Sequence, residues 1–407
     1  MQHLSFKDFI ILQRGFDLPR SQMIDGPFPV VGSTSIIGYH NEYKIKPPGV
    51  VTGRSGSLGF VQYIKGPYWP HNTSLWVKDF KGNLPKYVYY YLKTLDLQRF
   101  NSGVGVPTLN RNDLGTLEIS IHPINTQRKI AAILSAYDDL IENNIKRIRI
   151  LEKTAQNLYR EWFVHLRFPG HESVKMVDSP LGIIPEGWDV KKIGALLSYT
   201  IGGGWGFDNQ IEENLIPAYV IRGTDIPEAR YSNVSNCPLR FHKPTNLQSR
   251  IIRVNDIIFE VSGGSKDQPL GRSLLIGLNT IRSFDKDVMC ASFCKLIRPN
   301  ENMILPELLY LHFVEIYENK QIVKYQVQST GLSNFKFTYF LDNESVLKPS
   351  HEIQDKFKSI INPILDTIQL LGFKNSNLRQ ARDLLLPKLI SGELDVSELD
   401  IKVREPV

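Results

Sequence analysis

Between Ile124 and Val164 apolar residues recur at alternating steps of four and three: Ile130, Leu134, Tyr137, Ile141, Ile148, Leu151, Ala155, Leu158 and Trp162, with Asn144 the single polar interruption. That spacing is a heptad seam, in which every a and d position falls on one face of a helix. Charged residues such as Arg128, Asp139, Lys146, Arg149 and Lys153 fill the other faces. A helix over this stretch would be roughly 60 Å long, too long for an ordinary buried helix, so its seam needs a partner along its length.

The partner lies downstream. Shifted by 227 residues, Gln127 falls on Gln354, Lys129 on Lys356, Ile141 on Ile368 and Leu151 on Leu378. The second seam reads Phe357, Ile361, Ile364, Ile368, Leu371, Asn375, Leu378, Arg382, Leu385 and Leu389. It is the weaker copy, because Pro363 predicts a kink, Gly372 lowers helix propensity and Arg382 puts a charge on the seam. The repeat extends to the flanking regions, where Pro85 meets Pro306 and Pro123 meets Pro349. The expected order is a first globular domain over 1–122, a long helix over 123–166 and a linker over 167–185. A second globular domain over 186–348, a second long helix over 349–390 and a tail over 391–407 complete it. Short connections make the two helices antiparallel. The predicted class is two α/β (α+β) domains joined by two long helices that form an antiparallel coiled coil, with an internal repeat.

Inside the heads, Val50–Val51, Leu75–Val77 and 115–121 read as strands of the first. In the second, 255–261 and 291–297 read as strands, and a helix opens at Pro306. Gly- and Pro-rich turns such as Asp25-Gly26-Pro27 separate them.

Charge is uneven. Residues 1–120 carry 13 Lys and Arg against 8 Asp and Glu, and residues 121–175 carry 9 against 6. Residues 186–348 carry 18 against 18. A basic first half suits phosphate contacts, while the second head does not announce them. Three cysteines without a leader-like N-terminus fit reduced thiols and a cytoplasmic chain. No run of roughly eighteen apolar residues predicts a membrane span.

Catalytic signatures are missing: there is no phosphate loop, no H-E-x-x-H, and no methyl-donor loop or N-P-P-[YF] pattern. Cys290-x-x-x-Cys294 lacks a second ligand pair and reads as strand rather than metal site. Polar, glycine-rich loops remain. The candidates for DNA contact are Arg14, Arg20, Arg54, Ser55, Ser57, His71, Asn72, Thr108, Asn110 and Arg111 in the first head. In the second they are Arg222, Thr224, Ser262, Ser265, Lys266, Arg272, Ser329 and Asn334. Such side chains can grip phosphates and read base edges, or can simply be solvated loop residues.

Several stretches resemble the specificity subunits of type I restriction–modification systems, and the resemblance spans essentially the whole chain. They are Arg14-Gly15-Phe16-Asp17-Leu18-Pro19, Phe28-Pro29-Val30-Val31-Gly32-Ser33, the 49–59 loop, Pro123-Ile124-Asn125-Thr126-Gln127-Arg128-Lys129-Ile130-Ala131 and the 386–394 ending. Thr126 stands where the family usually has Glu, and 261–265 matches the 53–59 pattern only loosely. The resemblance implies a non-catalytic subunit without cofactor of its own. Each head would read half of a bipartite double-stranded DNA target, and the helix pair would set the spacer. Two modification subunits would bring S-adenosylmethionine, and restriction subunits would bring ATP and Mg. The competing readings are a structural coiled-coil DNA-binding protein acting alone, or half of a multi-chain specificity factor.

Overall fold

The computed structural model describes residues 1–103, 105–263, 268–328 and 333–402. It divides into two compact units: residues 1–140 with 378–407, and residues 141–377. The division falls within both long helices, so each unit owns a head and a segment of each helix.

In the first unit a four-stranded antiparallel sheet has the order Ile11–Arg14, Ser74–Asp79, Gly49–Gly53, Val61–Ile64. A three-stranded sheet sets Phe28–Val31 between Ile36–His40, antiparallel, and Trp69–Pro70, parallel. Gln2–Ser5 pairs with Glu118–Ile121, closing the head beside the long helix. The second unit repeats this topology. Its four strands run Leu197–Gly202, Cys294–Pro299, Ile257–Glu260, Ser273–Leu275. Its three-stranded sheet sets Ile216–Ile221 between Leu239–His242, antiparallel, and Val288–Cys290, parallel. Asp189–Lys192 pairs with Ser345–Lys348. The fully buried faces of Gly49–Gly53 and Ile257–Glu260 explain why the central strands read as continuous apolar runs.

Each head also carries a helix with proline in its first turn, Pro85–Thr94 and Pro306–Glu318. The residue before each proline is a leucine, which has no side-chain oxygen to cap the helix. The long helices supply one instead. Gln127 Oε1 accepts the Leu84 N–H at 3.0 Å, and Gln354 Oε1 accepts the Leu305 N–H at 2.7 Å. The amide nitrogens turn back to the start of their own helices, Gln127 to the His122 carbonyl at 2.9 Å and Gln354 to the Pro349 carbonyl at 3.0 Å. The same residue at the same place thus ties a long helix to a head in both repeats.

The first long helix runs Ile124–Tyr159 and ends in a wide turn over Arg160–Val164; the second runs His351–Ser391. In the first unit, Ile130 and Leu134 share a core with Leu386 and Leu389, and Arg382 donates to Asp138 at 2.5 Å. In the second, Ile148 packs with Ile368 and Leu371, and the Trp162 ring lies 5.5 Å from that of Phe357. In both, rising numbers on one helix meet falling numbers on the other, so the pairing is antiparallel. Ile141 and Ile361 are buried on the seam, while Tyr137, Leu151, Leu158, Ile364, Leu378 and Leu385 are half-buried.

Four expectations need correction. Helix continues through Pro363, which is exposed, so the lost hydrogen bond faces water and the helix is not broken there. Arg382 does not weaken the seam, because Asp138 neutralises it. The strand expected over 291–297 starts only at Cys294 and runs to Pro299, because 291–293 is the turn that links it to Val288–Cys290 in another sheet. The strand expected from Gly115 starts at Glu118, behind a short helix Arg111–Gly115. The stretch 167–185 is a built segment: Met176–Ser179 and Gly182–Pro185 form a hairpin, and Phe168 and Ile184 are buried in the second unit's core.

Candidate nucleic-acid interface

The candidate loops of the first head converge because backbone bonds lock them together. After the strand Ile11–Arg14, Gly15 donates to the Ser74 carbonyl at 3.0 Å and Phe16 to that of Pro70 at 2.8 Å. His71 donates to the Val31 carbonyl at 2.9 Å. The Arg54 and Ser55 N–H groups both donate to the Thr73 carbonyl, at 2.9 and 3.1 Å, and Leu109 donates to the Arg54 carbonyl at 2.8 Å. Gly15 is required for this closure, since a Cβ there would lie 2.1 Å from the His71 carbonyl oxygen. Ser33 Oγ adds bonds to the carbonyls of Ser55 and Thr73, at 2.7 and 2.9 Å.

The second head builds the same frame. Gly203 donates to Cys294 at 3.0 Å, Gly204 to Cys290 at 2.9 Å and Ala291 to Ile221 at 2.9 Å. Val261 and Ser262 both donate to the Phe293 carbonyl, at 2.9 and 3.3 Å, and Phe335 donates to Val261 at 2.9 Å. A Cβ on Gly203 would lie 2.1 Å from the Ala291 carbonyl oxygen, as at Gly15. These bonds fix the register between the heads: Arg54 corresponds to Val261, Ser55 to Ser262, His71 to Ala291, Thr73 to Phe293 and Thr108 to Asn334. The bridges Ser55–Thr108 and Ser262–Asn334 agree. The loose sequence match at 261–265 is therefore a close structural match over the two residues that close the frame.

What the side chains do differs. Arg14 is exposed and 3.2 Å from Asp17, whose carboxylate also accepts from Asn72. Arg54 lies half-buried with Nη1 3.4 Å from the Asn72 carbonyl. Partial burial holds the His71 imidazole below its usual pKa, and the ring sits 2.9 Å from Thr73 Oγ1. His71 is thus a neutral brace of the loop at pH 7 rather than a cation. Asn110 caps the helix Arg111–Gly115 by accepting from Asn112 N–H at 3.1 Å, which presents exposed Arg111 at the helix start. Arg111 lines a groove of about 920 Å³ beside the edge strand with Lys7, Gln13, Arg14, Lys78 and Asn112. Lys7, Lys78 and Asn112 escaped the loop-based reading because they sit on regular elements. Ser57 and Arg20 are exposed, Arg20 in the turn Arg20–Gln22, and Thr108 is half-buried.

In the second head the arginines turn inward. Arg272 forms a two-point pair with Glu260 at 2.9 and 2.5 Å, both nearly buried, and the carboxylate raises its pKa. Arg272 is accordingly withdrawn as a DNA contact. Arg222 is held by Asp225 at 2.8 Å through two nitrogens and by the Asn236 carbonyl. Thr224 and Asn334 are exposed, and Ser262 Oγ donates to Asn334 at 3.1 Å. Ser265, Lys266 and Ser329 lie outside the described residues. Burial pushes the Cys290 thiol up to about 12 and raises that of Cys294 well above its ordinary value, the reverse of what a metal-ligating thiolate needs.

A family model described as the type I restriction modification DNA specificity domain matches residues 7–153. The MjaIX specificity subunit of a type I restriction enzyme from Methanocaldococcus jannaschii is 26% identical over 366 residues, 88% of this chain and 80% of the relative. The chain is thus similar to type I specificity subunits over most of its length, and its first head and the start of the first long helix match their DNA specificity domain. The MjaVIII specificity subunit of the same organism is 23% identical over 319 residues, covering 77% of this chain and 71% of the relative. The crystal structure of a type I restriction-modification S subunit from M. genitalium shares the fold, with a TM-score of 0.61, 16% identity and 96% of both chains covered. Among the described residues no helix is long and apolar enough to cross a membrane.

Proposed function

We propose that each head of this specificity subunit reads one half of a bipartite double-stranded DNA target, and that the helix pair sets the unread spacer between the halves. The observation that carries this reading is the recurring backbone frame, which two sets of unlike side chains decorate. A frame built twice with different readers suits two half-sites of different sequence; a structural connector has no use for it. Helices of 36 and 41 residues are about 54 and 61 Å long. Length of that order separates half-sites by one or more turns of duplex. The chain does no chemistry itself. Two modification subunits would dock on it and carry S-adenosylmethionine, and restriction subunits would carry ATP and Mg, in the cytoplasm.

The test is selection from randomised duplexes with the full chain, alone and co-expressed with its methyltransferase subunit. Two short motifs at a fixed unread spacing are expected. One contiguous motif, or no preference, refutes the reading.

A further inference from the structure

We propose that Phe293 reads the 5-methyl group of a thymine in the half-site of the second head. The inference rests on the DNA reading above and names a base contact within it. A single exposed phenylalanine is ordinary on a protein surface. Phe293 is set apart by its place in the frame. Its carbonyl accepts both Val261 and Ser262 N–H, as the Thr73 carbonyl accepts both Arg54 and Ser55 N–H. The two side chains therefore leave equivalent points of equivalent loops.

In the first head that point is polar, since Thr73 bonds to His71 and stands beside Asn72 and Arg54. In the second head the corresponding residues are Phe293, Ala291, Ser292 and Val261. Ala291 is buried and offers no hydrogen bond, while Phe293 remains 52% exposed. A hydrogen-bonding reader has been replaced by an apolar one. In the major groove the apolar feature of a base edge is the thymine methyl. The neighbouring chemistry agrees, because exposed Asn334 pairs with Ser262 on the adjacent strand, and an asparagine amide suits adenine.

The experiment takes the target selected above and replaces each thymine in turn by deoxyuridine, which removes only the methyl group. At one thymine of one half-site, binding of the full chain is expected to weaken about fourfold, the worth of one buried methyl group. Phe293→Ala should bind thymine and uracil duplexes equally at that position. Phe293→Thr, which installs the side chain of the first head, should do the same. Because Phe293 is exposed, both variants are expected to keep the wild-type melting temperature, which is measured alongside. Sequence-specific binding with no uracil-sensitive thymine would overturn the inference while leaving the DNA reading intact. So would uracil sensitivity that survives in Phe293→Ala. Loss of all sequence preference in the wild type would mark failure of the DNA reading, and this inference with it.

Discussion

Replacing Gln127 or Gln354 by methionine should release a head from its long helix, and the two losses should differ in size. Methionine keeps the length and much of the volume of glutamine but makes none of its amide bonds. Gln127 is 2% exposed and bonds to Leu84 N–H at 3.0 Å, Asn83 Oδ1 at 2.7 Å and the His122 carbonyl at 2.9 Å. Gln354 bonds to Leu305 N–H at 2.7 Å and to the Pro349 and Met303 carbonyls at 3.0 and 3.3 Å. Each bond contributes about 1 kcal/mol net, and a donor left buried and unpaired costs about 1–3 kcal/mol. Leu84 is half-buried, so water can reach its N–H once the glutamine is gone. Leu305 is 6% exposed, and water cannot. The expected local cost is about 2 kcal/mol for Gln127→Met and about 3 kcal/mol or more for Gln354→Met.

The assay is amide exchange of the full chain read peptide by peptide, which resolves each head separately. Protection of Leu84 and the helix Pro85–Thr94 should fall about thirtyfold in Gln127→Met. Protection of Leu305 and Pro306–Glu318 should fall about a hundredfold or more in Gln354→Met, since 1.4 kcal/mol is tenfold. Each variant should leave the other head unchanged. Equal losses, or a Leu305 amide that stays protected in Gln354→Met, would refute the argument that these glutamines cap the head helices.

Three further outcomes follow from the same geometry. Gly372→Ala should destabilise despite a helix propensity gain of about 1 kcal/mol, because the new Cβ would stand 2.1 Å from the Tyr231 carbonyl oxygen and overpacking costs about 1–3 kcal/mol; a raised melting temperature would contradict this. Burial holds the His312 imidazole down to about 4 against the pull of Glu344 and Glu315, so stability should be full above pH 6.5 and fall by roughly 3 kcal/mol as pH drops from 6.5 to 4, where the unfolded chain binds the extra proton; urea unfolding of His312→Gln should lack that slope. Arg54→Ala and Arg111→Ala should each reduce the slope of log binding constant against log salt by about 0.9, whereas Arg272→Ala should leave the slope alone and cost about 3–5 kcal/mol of stability by stranding Glu260.

The long helices were legible because their period is repeated over ten turns and any partner had to match it. Asn144 was legible as an interruption, and its reason is now visible: its Nδ2 donates to Asn375 Oδ1 at 2.9 Å within the seam, so a slip of either helix would bury an unpaired amide against leucine. The kink expected at Pro363 failed because a proline on a solvent face loses a bond that water replaces. Loops were legible as loops but not as a frame. The bonds that define it run between backbone atoms 18 to 91 residues apart, and backbone has no sequence signature beyond Gly15 and Gly203. The match of Thr73 to Phe293 is hidden for that reason: neither resembles the other until the carbonyls they carry are seen to do the same work.

Loop position misleads in the second head in a way that the structure explains. A balance of 18 against 18 does not announce phosphate contacts there, and Arg222 and Arg272 are candidates only by their place in polar, glycine-rich loops. In fact Arg222, Arg272 and Arg298 each face an acid that is almost wholly buried: Asp225, Glu260 and Asp256. A buried carboxylate must be neutralised within the fold, so these arginines are fixed by folding before any DNA arrives. The first head has the opposite arrangement, with Lys7, Arg14, Lys78 and Arg111 around an open groove. Net charge reports only the sum, and the same sum can be spent inside or displayed outside. Where it is displayed, binding gains a salt-dependent grip; where it is internal, selectivity has to come from shape, hydrogen bonds and apolar contact. If each head reads a half-site as proposed, the two would differ not only in which bases they read but in the kind of force with which they read them.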